Sequence, residues 1–116
     1  MHSTVKIGGQ NRPIFFSGLA MSKLCVEFNA TTFAELGKRM ESIGPMDVPY
    51  MTWIGLKEGA RALKEDFPAT VEQVGEWVYD EYAGFFFKEI MPVFNRDFQG
   101  DDDPDEEKKT TAKRGK

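Results

Sequence analysis

Acid–base chemistry in this chain would have to come from carboxylates, because there is one histidine, His2, and one cysteine, Cys25. Asp80 with Glu81 and Glu72 with Glu76 are the paired candidates, yet both pairs fall on polar helix faces. Carboxylates there stay solvated, and general acid–base work needs a cleft that perturbs them. Nucleophilic catalysis needs a base beside the nucleophile, and His2 lies in a stretch expected to fray, so no triad can be assembled. Cys25 has no basic cluster to depress its thiol pKa and is expected in the core as a small hydrophobe. The acidic run from Asp101 to Glu107 imitates an oxygen-rich cation site but lacks the spacing and glycine of a calcium loop. Gly8 and Gly9 lack the lysine of a phosphate-binding loop. Lys57, Arg61 and Lys64 form only a small basic patch. This inventory predicts no enzyme activity, no cofactor and no metal, and turns attention to surfaces.

The elements follow from local signals. Thr4 to Phe16, TVKIGGQNRPIFF, holds two short β-prone runs around Gly8, Gly9, Gln10 and Asn11, which predicts a β-hairpin with Pro13 at an edge. Ser17 is placed to cap a helix running to about Phe28 with Met21, Leu24, Cys25 and Phe28 on one face. Thr32 and Glu35 have capping-box spacing ahead of a seam of Phe33, Leu36, Met40 and Ile43. Asp47 can cap a third helix with Pro49 in its first turn and Trp53, Leu56, Ala60 and Leu63 on its face, Tyr50 and Ile54 beside it. Gly55 and Gly59, one turn apart, suit close packing of another backbone. Thr70 and Gln73 repeat the capping-box spacing and open a last, long helix.

That last stretch carries two apolar stripes. Val71, Val74, Val78, Tyr82 and Phe85 fall within a sector roughly 80° wide at about 100° per residue. Phe87, Ile90, Met91, Phe94 and Phe98 recur at the same steps but lie on the far side of a continuous helix. Either Gly84 or Pro92 redirects the chain so that both stripes reach one core, or the helix continues to about Met91 and the second stripe is a protein-binding surface. The binding surface, taken as Phe87, Ile90, Met91, Phe94 and Phe98, is the candidate functional site.

With 116 residues, 41% hydrophobic and 13% aromatic, the chain suits one domain with a packed core. The expected fold is mainly α with a small N-terminal β-hairpin (α+β), a four-helix single domain over residues 1–98. Residues 99–116, rich in acids and then bases, are expected to form a disordered charged tail. Apolar runs of only a few residues predict neither a transmembrane span nor a secretory leader, and a lone cysteine fits a reducing cytoplasm. A net charge of −4 gives no attraction to a phosphate backbone.

The order KIGGQNRPIFF, SGLAMSKL, FAELG, WIGLKEG, a proline loop and TVEQVGEWV resembles the tail assembly chaperones of long-tailed bacteriophages over residues 5 to about 92. The resemblance implies a mostly helical protein with a small β element, made in the cytoplasm of the infected bacterial host and absent from the mature virion. It implies that many copies coat the tape measure protein, keep it soluble and recruit tail tube protein subunits, with homo-oligomers possible and with neither nucleic acid nor membrane as partner. It further implies a longer product made by translational frameshifting, for which the codons of Lys108 and Lys109 are a candidate slippery run. The alternative from another class is a small DNA-binding helix-turn-helix regulator, suggested by short helices joined by glycine-containing turns.

Overall fold

Two glycines set where the chain crosses itself. Helix α3 (Val48–Ala62) presents Gly55 and Gly59 to the second strand of the N-terminal hairpin, and any side chain there would collide with it. A Cβ on Gly59 would stand 2.5 Å from the carbonyl carbon and oxygen of Pro13, and one on Gly55 would stand 2.7 Å from the Phe16 ring. The missing side chains let strand and helix approach closely enough for the Phe15 N–H to donate to the Gly55 carbonyl at 3.0 Å. The glycine spacing is thus spent on internal packing, as the sequence suggested.

The computed structural model describes residues 3–99. His2, Lys108, Lys109 and the rest of the charged tail beyond Gln99 lie outside the described residues. Strands β1 (Ser3–Ile7) and β2 (Gln10–Ile14) pair antiparallel in the register Ser3 to Ile14 and Ile7 to Gln10. Gly8 and Gly9 connect them at φ +65° and +84°, the two consecutive positive values a two-residue primed turn demands. Alternation turns Val5, Ile7 and Ile14 inward and leaves Thr4 and Lys6 exposed.

Helix α1 (Gly18–Glu27) begins where expected, with Ser17 Oγ accepting from the Ala20 N–H. The same hydroxyl donates to Glu58 Oε1 at 2.8 Å, so one cap residue ties α1 to the middle of α3. Helix α2 (Phe33–Arg39) is capped by Thr32, and a 3-10 turn over Met40–Ser42 extends it. Glu35 reaches back to the N–H and hydroxyl of Thr31, one residue earlier than a regular capping box. Asp47 stands at the N-cap of α3 without capping it; its carboxylate accepts from the Gly44 N–H and from Arg39, closing the preceding turn instead. Helix α4 (Val71–Asp80) carries the complete Thr70–Gln73 capping box. Gly75 lets it close on Pro49 of α3.

The long C-terminal helix is not continuous. Helix α4 stops at Asp80, and Gly84 adopts φ +89°, a conformation that strains any residue with a Cβ. A π-helical turn over Phe86–Ile90 follows, in which the Met91 N–H donates to the Phe86 carbonyl. Helix α5 (Met91–Phe98) then runs on, with Pro92 in its first turn, where a missing N–H costs least. The described residues therefore hold five α-helices rather than four. The redirection comes at Gly84, and it brings most of both stripes to one core that runs from Val5 to Phe94, leaving Tyr82 of the first stripe and Phe87 of the second exposed.

Several expected core residues sit elsewhere. Phe33 and Leu63 are exposed, while Trp53 and Cys25 are only half-buried. Trp53 keeps its indole edge at the surface because Nε1–H donates to the Ala69 carbonyl and Lys57 lies over the ring. Trp77 packs on the hairpin turn at Gly8, and the Arg12 guanidinium lies over its ring.

Candidate protein-binding surface

The five residues expected to form a binding surface part company. Ile90 and Phe94 are fully buried, so they cannot form an exposed seam. Phe94 meets Phe16 edge to face at 5.3 Å between centroids, and Phe98 stacks on Phe94 at 5.3 Å while Phe33 meets it edge-on. Met91 and Phe98 are half-buried against the core. Phe87 alone projects into solvent, 60% exposed. The Gly84 turn redirects the whole segment, and the π-helical turn over Phe86–Ile90, with one residue more than an α-turn, shifts the phase between Phe87 and Phe94, so that Ile90 and Phe94 face the core while Phe87 stays outside.

Phe87 is not isolated. It borders a cleft of about 330 Å³ between the turn entering α3 and the segment linking α4 to α5. Ile43, Val48, Val78, Phe85 and Phe86 supply its apolar floor. Tyr79, Tyr82 and Phe87 stand exposed around it, and the neighbouring Met46 is 89% exposed. The volume lies at the small end of ligand pockets, enough to receive a partner's side chains but not a buried helix.

Polar bonds hold the cleft open. The Tyr79 hydroxyl donates to the Pro45 carbonyl, bracing one wall against the other. Burial pushes the Tyr79 phenol above its ordinary pKa, and the charge of Asp47 adds to the effect. The Tyr82 hydroxyl donates to Glu89. Desolvation, then that bond, then the charges of Glu89 and Glu81 raise the Tyr82 phenol as well. Both hydroxyls are therefore neutral donors at physiological pH. Tyr82 and Phe85 pack edge to face, as do Phe86 and Phe87, so the aromatic rim is ordered by its own contacts.

Sequence periodicity missed Tyr79, which lies off both stripes, and Met46, which lies in a Gly-Pro loop. A signal for Tyr79 was present: a large aromatic on the polar face of an otherwise well-patterned helix has no core to serve. The candidate basic patch, by contrast, is partly used at home. Arg61 donates through Nε and Nη2 to the buried Glu58 carboxylate, and Lys57 covers Trp53. Asp80 is exposed and Glu81 is half-buried at the cleft, and among the described residues no group of three histidine, cysteine or acidic side chains is placed to hold a metal. Nor is any described helix long and apolar enough to cross a membrane. No family model, curated protein or solved structure matches this chain.

Proposed function

We propose that this chain is a tail assembly chaperone of a long-tailed bacteriophage, which binds and solubilises the tape measure protein and recruits tail tube subunits around it. The observation that carries this reading is the cleft with Tyr79, Tyr82 and Phe87 exposed about an apolar floor. Clustered exposed aromatics around an apolar cleft mark a protein-interaction surface, and helix-in-groove recognition uses such anchors. A chaperone for an elongated helical client needs surface grips of this kind, together with a charge excess that keeps the complex in solution. The mainly helical fold with an N-terminal hairpin accords with the sequence resemblance. In this reading the protein acts in the cytoplasm of the infected host and is left out of the virion.

Co-expression tests the proposal. The tape measure protein encoded beside this gene is expected to remain soluble and to co-purify when the intact chain is present, and to precipitate when Phe87→Ser replaces it. A tape measure protein equally soluble without the chain would defeat the reading. So would salt-sensitive retention of duplex DNA by the purified chain, the behaviour of a helix-turn-helix regulator.

A further inference from the structure

Charge around the cleft is one-sided. Between Asp80 and Ile90 the acids Asp80, Glu81 and Glu89 face a single base, Lys88. Glu81 lines the cleft itself, and Glu89 is fixed at its rim by the Tyr82 hydroxyl. Next to the turn that forms the opposite wall, Arg39 is drawn off by Asp47, its guanidinium bonded to that carboxylate at 3.0 Å and to the Ser42 carbonyl. The apolar floor is thus bordered by carboxylates whose charge is not cancelled locally.

Resting on the reading that this surface binds a client, we propose that the cleft takes an amphipathic helical segment whose apolar anchors are flanked by lysine or arginine. The anchors would enter between Tyr79 and Phe87 and the flanking cations would meet Glu81 and Glu89. Neutral tyrosine hydroxyls at the rim tolerate such a cation, and an acidic flank would meet like charge. Complementarity of this kind decides between partners and registers more than it adds raw affinity.

Two synthetic peptides with the same leucine face, one flanked by lysines and one by glutamates, separate the outcomes. Fluorescence anisotropy with the full chain should show the lysine peptide binding about tenfold more tightly, a preference that shrinks with added salt. Glu81→Lys with Glu89→Lys should reverse the preference, and Glu81→Gln with Glu89→Gln should erase it; Glu89 is exposed and Glu81 half-buried, and unchanged circular dichroism checks the fold. Amide shift changes should centre on Ile43, Val48 and Phe86. Equal affinity for the two peptides, a preference that survives charge reversal, or shifts centred elsewhere would each overturn the inference. If the reversed variant still holds the tape measure protein, the chaperone reading stands and this inference falls. If the chain shows a clear lysine preference but never retains the tape measure protein, the basic-helix inference stands and the chaperone reading falls.

Discussion

Two contacts in this molecule are built from different materials. Where β2 crosses α3, backbone lies on backbone: Pro13 covers Gly59, and Phe15 bonds to the Gly55 carbonyl. Where α5 closes the core, ring lies on ring, with Phe94 against Phe16 and Phe98 against Phe94. Two polar pins assist it: Asp97 accepts from the Phe16 N–H at 3.0 Å, and Arg96 donates to Ser3 Oγ. A backbone contact has no rotamer with which to yield, whereas stacked rings can shift by degrees. The first contact fixes the frame, and the second adjusts to it. Phe16 belongs to both, lying between Gly55 and Phe94.

The largest expected effect breaks the ring side. Phe94→Ala should cost about 3–5 kcal/mol in chemical denaturation, because the ring is 1% exposed and its loss leaves a cavity against Phe16. Gly59→Ala should cost about 3 kcal/mol, near the upper end for overpacking, since the obstructing atoms are backbone. Gly55→Ala should cost less, about 1–2 kcal/mol, because the obstruction is a ring that can move. The sharper test combines regions. With Phe94 truncated, Phe16 has room to retreat, so Gly55→Ala should be tolerated better in that background, with a coupling of about 1 kcal/mol. Gly59→Ala with Phe94→Ala should be close to additive. Additivity in both pairs would show that Phe16 does not link the two contacts.

How much of this was legible depends on the range of each signal. The hairpin turn, the Ser17 and Thr70 caps and the glycine pair are written within a few residues, and each was readable from sequence. The fate of the second stripe was not. Phe87 and Phe94 have the same type and the same periodicity; the positive φ of Gly84 redirects both, and the π-helical turn between them separates a solvent position from a core one. Glycine permits that conformation without requiring it, so the choice is made by what the redirected chain can bury. Trp53 was misplaced for a similar reason: the helical face predicts its direction but not the Ala69 carbonyl that draws its indole N–H outward. The cleft was illegible because its walls come from segments some 35 residues apart, joined by the Tyr79 to Pro45 bond.

A smaller effect concerns Glu58, the buried charge among the described residues. Burial raises the Glu58 pKa, but hydrogen bonds from Arg61 and Ser17 and the charges of Arg61 and Lys23 outweigh it, so the net shift is downward. A depressed folded-state value means that the unfolded chain takes up the proton first as pH falls. The stabilisation is therefore full above the unfolded glutamate value, about 4.3, and is lost below it as pH drops through the folded value. Glu58→Gln should cost about 1 kcal/mol at neutral pH and flatten the acid limb of a melting-temperature profile. An unchanged acid limb would place the acid sensitivity elsewhere. The ring-built contact at α5 should be indifferent to this substitution, since the Glu58 carboxylate bonds to Ser17 and Arg61 and to no group of that contact.

The smallest expected change in stability is also the one that separates surface from core within a single stripe. Phe87→Ser should leave the unfolding midpoint within about 0.5 kcal/mol of the parent, because the side chain is 60% exposed and surrenders little buried area. Phe94→Ser, the same chemical change one stripe repeat later, should destabilise at least as much as Phe94→Ala, since it adds an unpartnered hydroxyl to the cavity. Client binding should invert the ranking: Phe87→Ser should impair it at full stability, and Phe94→Ser should impair it only as far as the fold is lost. Binding measured at a temperature where both variants are folded makes the distinction. A Phe87→Ser variant that loses several kcal/mol would mean that the ring is covered in solution, by a second copy or by chain outside residues 3–99. Sedimentation at two concentrations would then tell these apart, since only a second copy makes the loss depend on concentration.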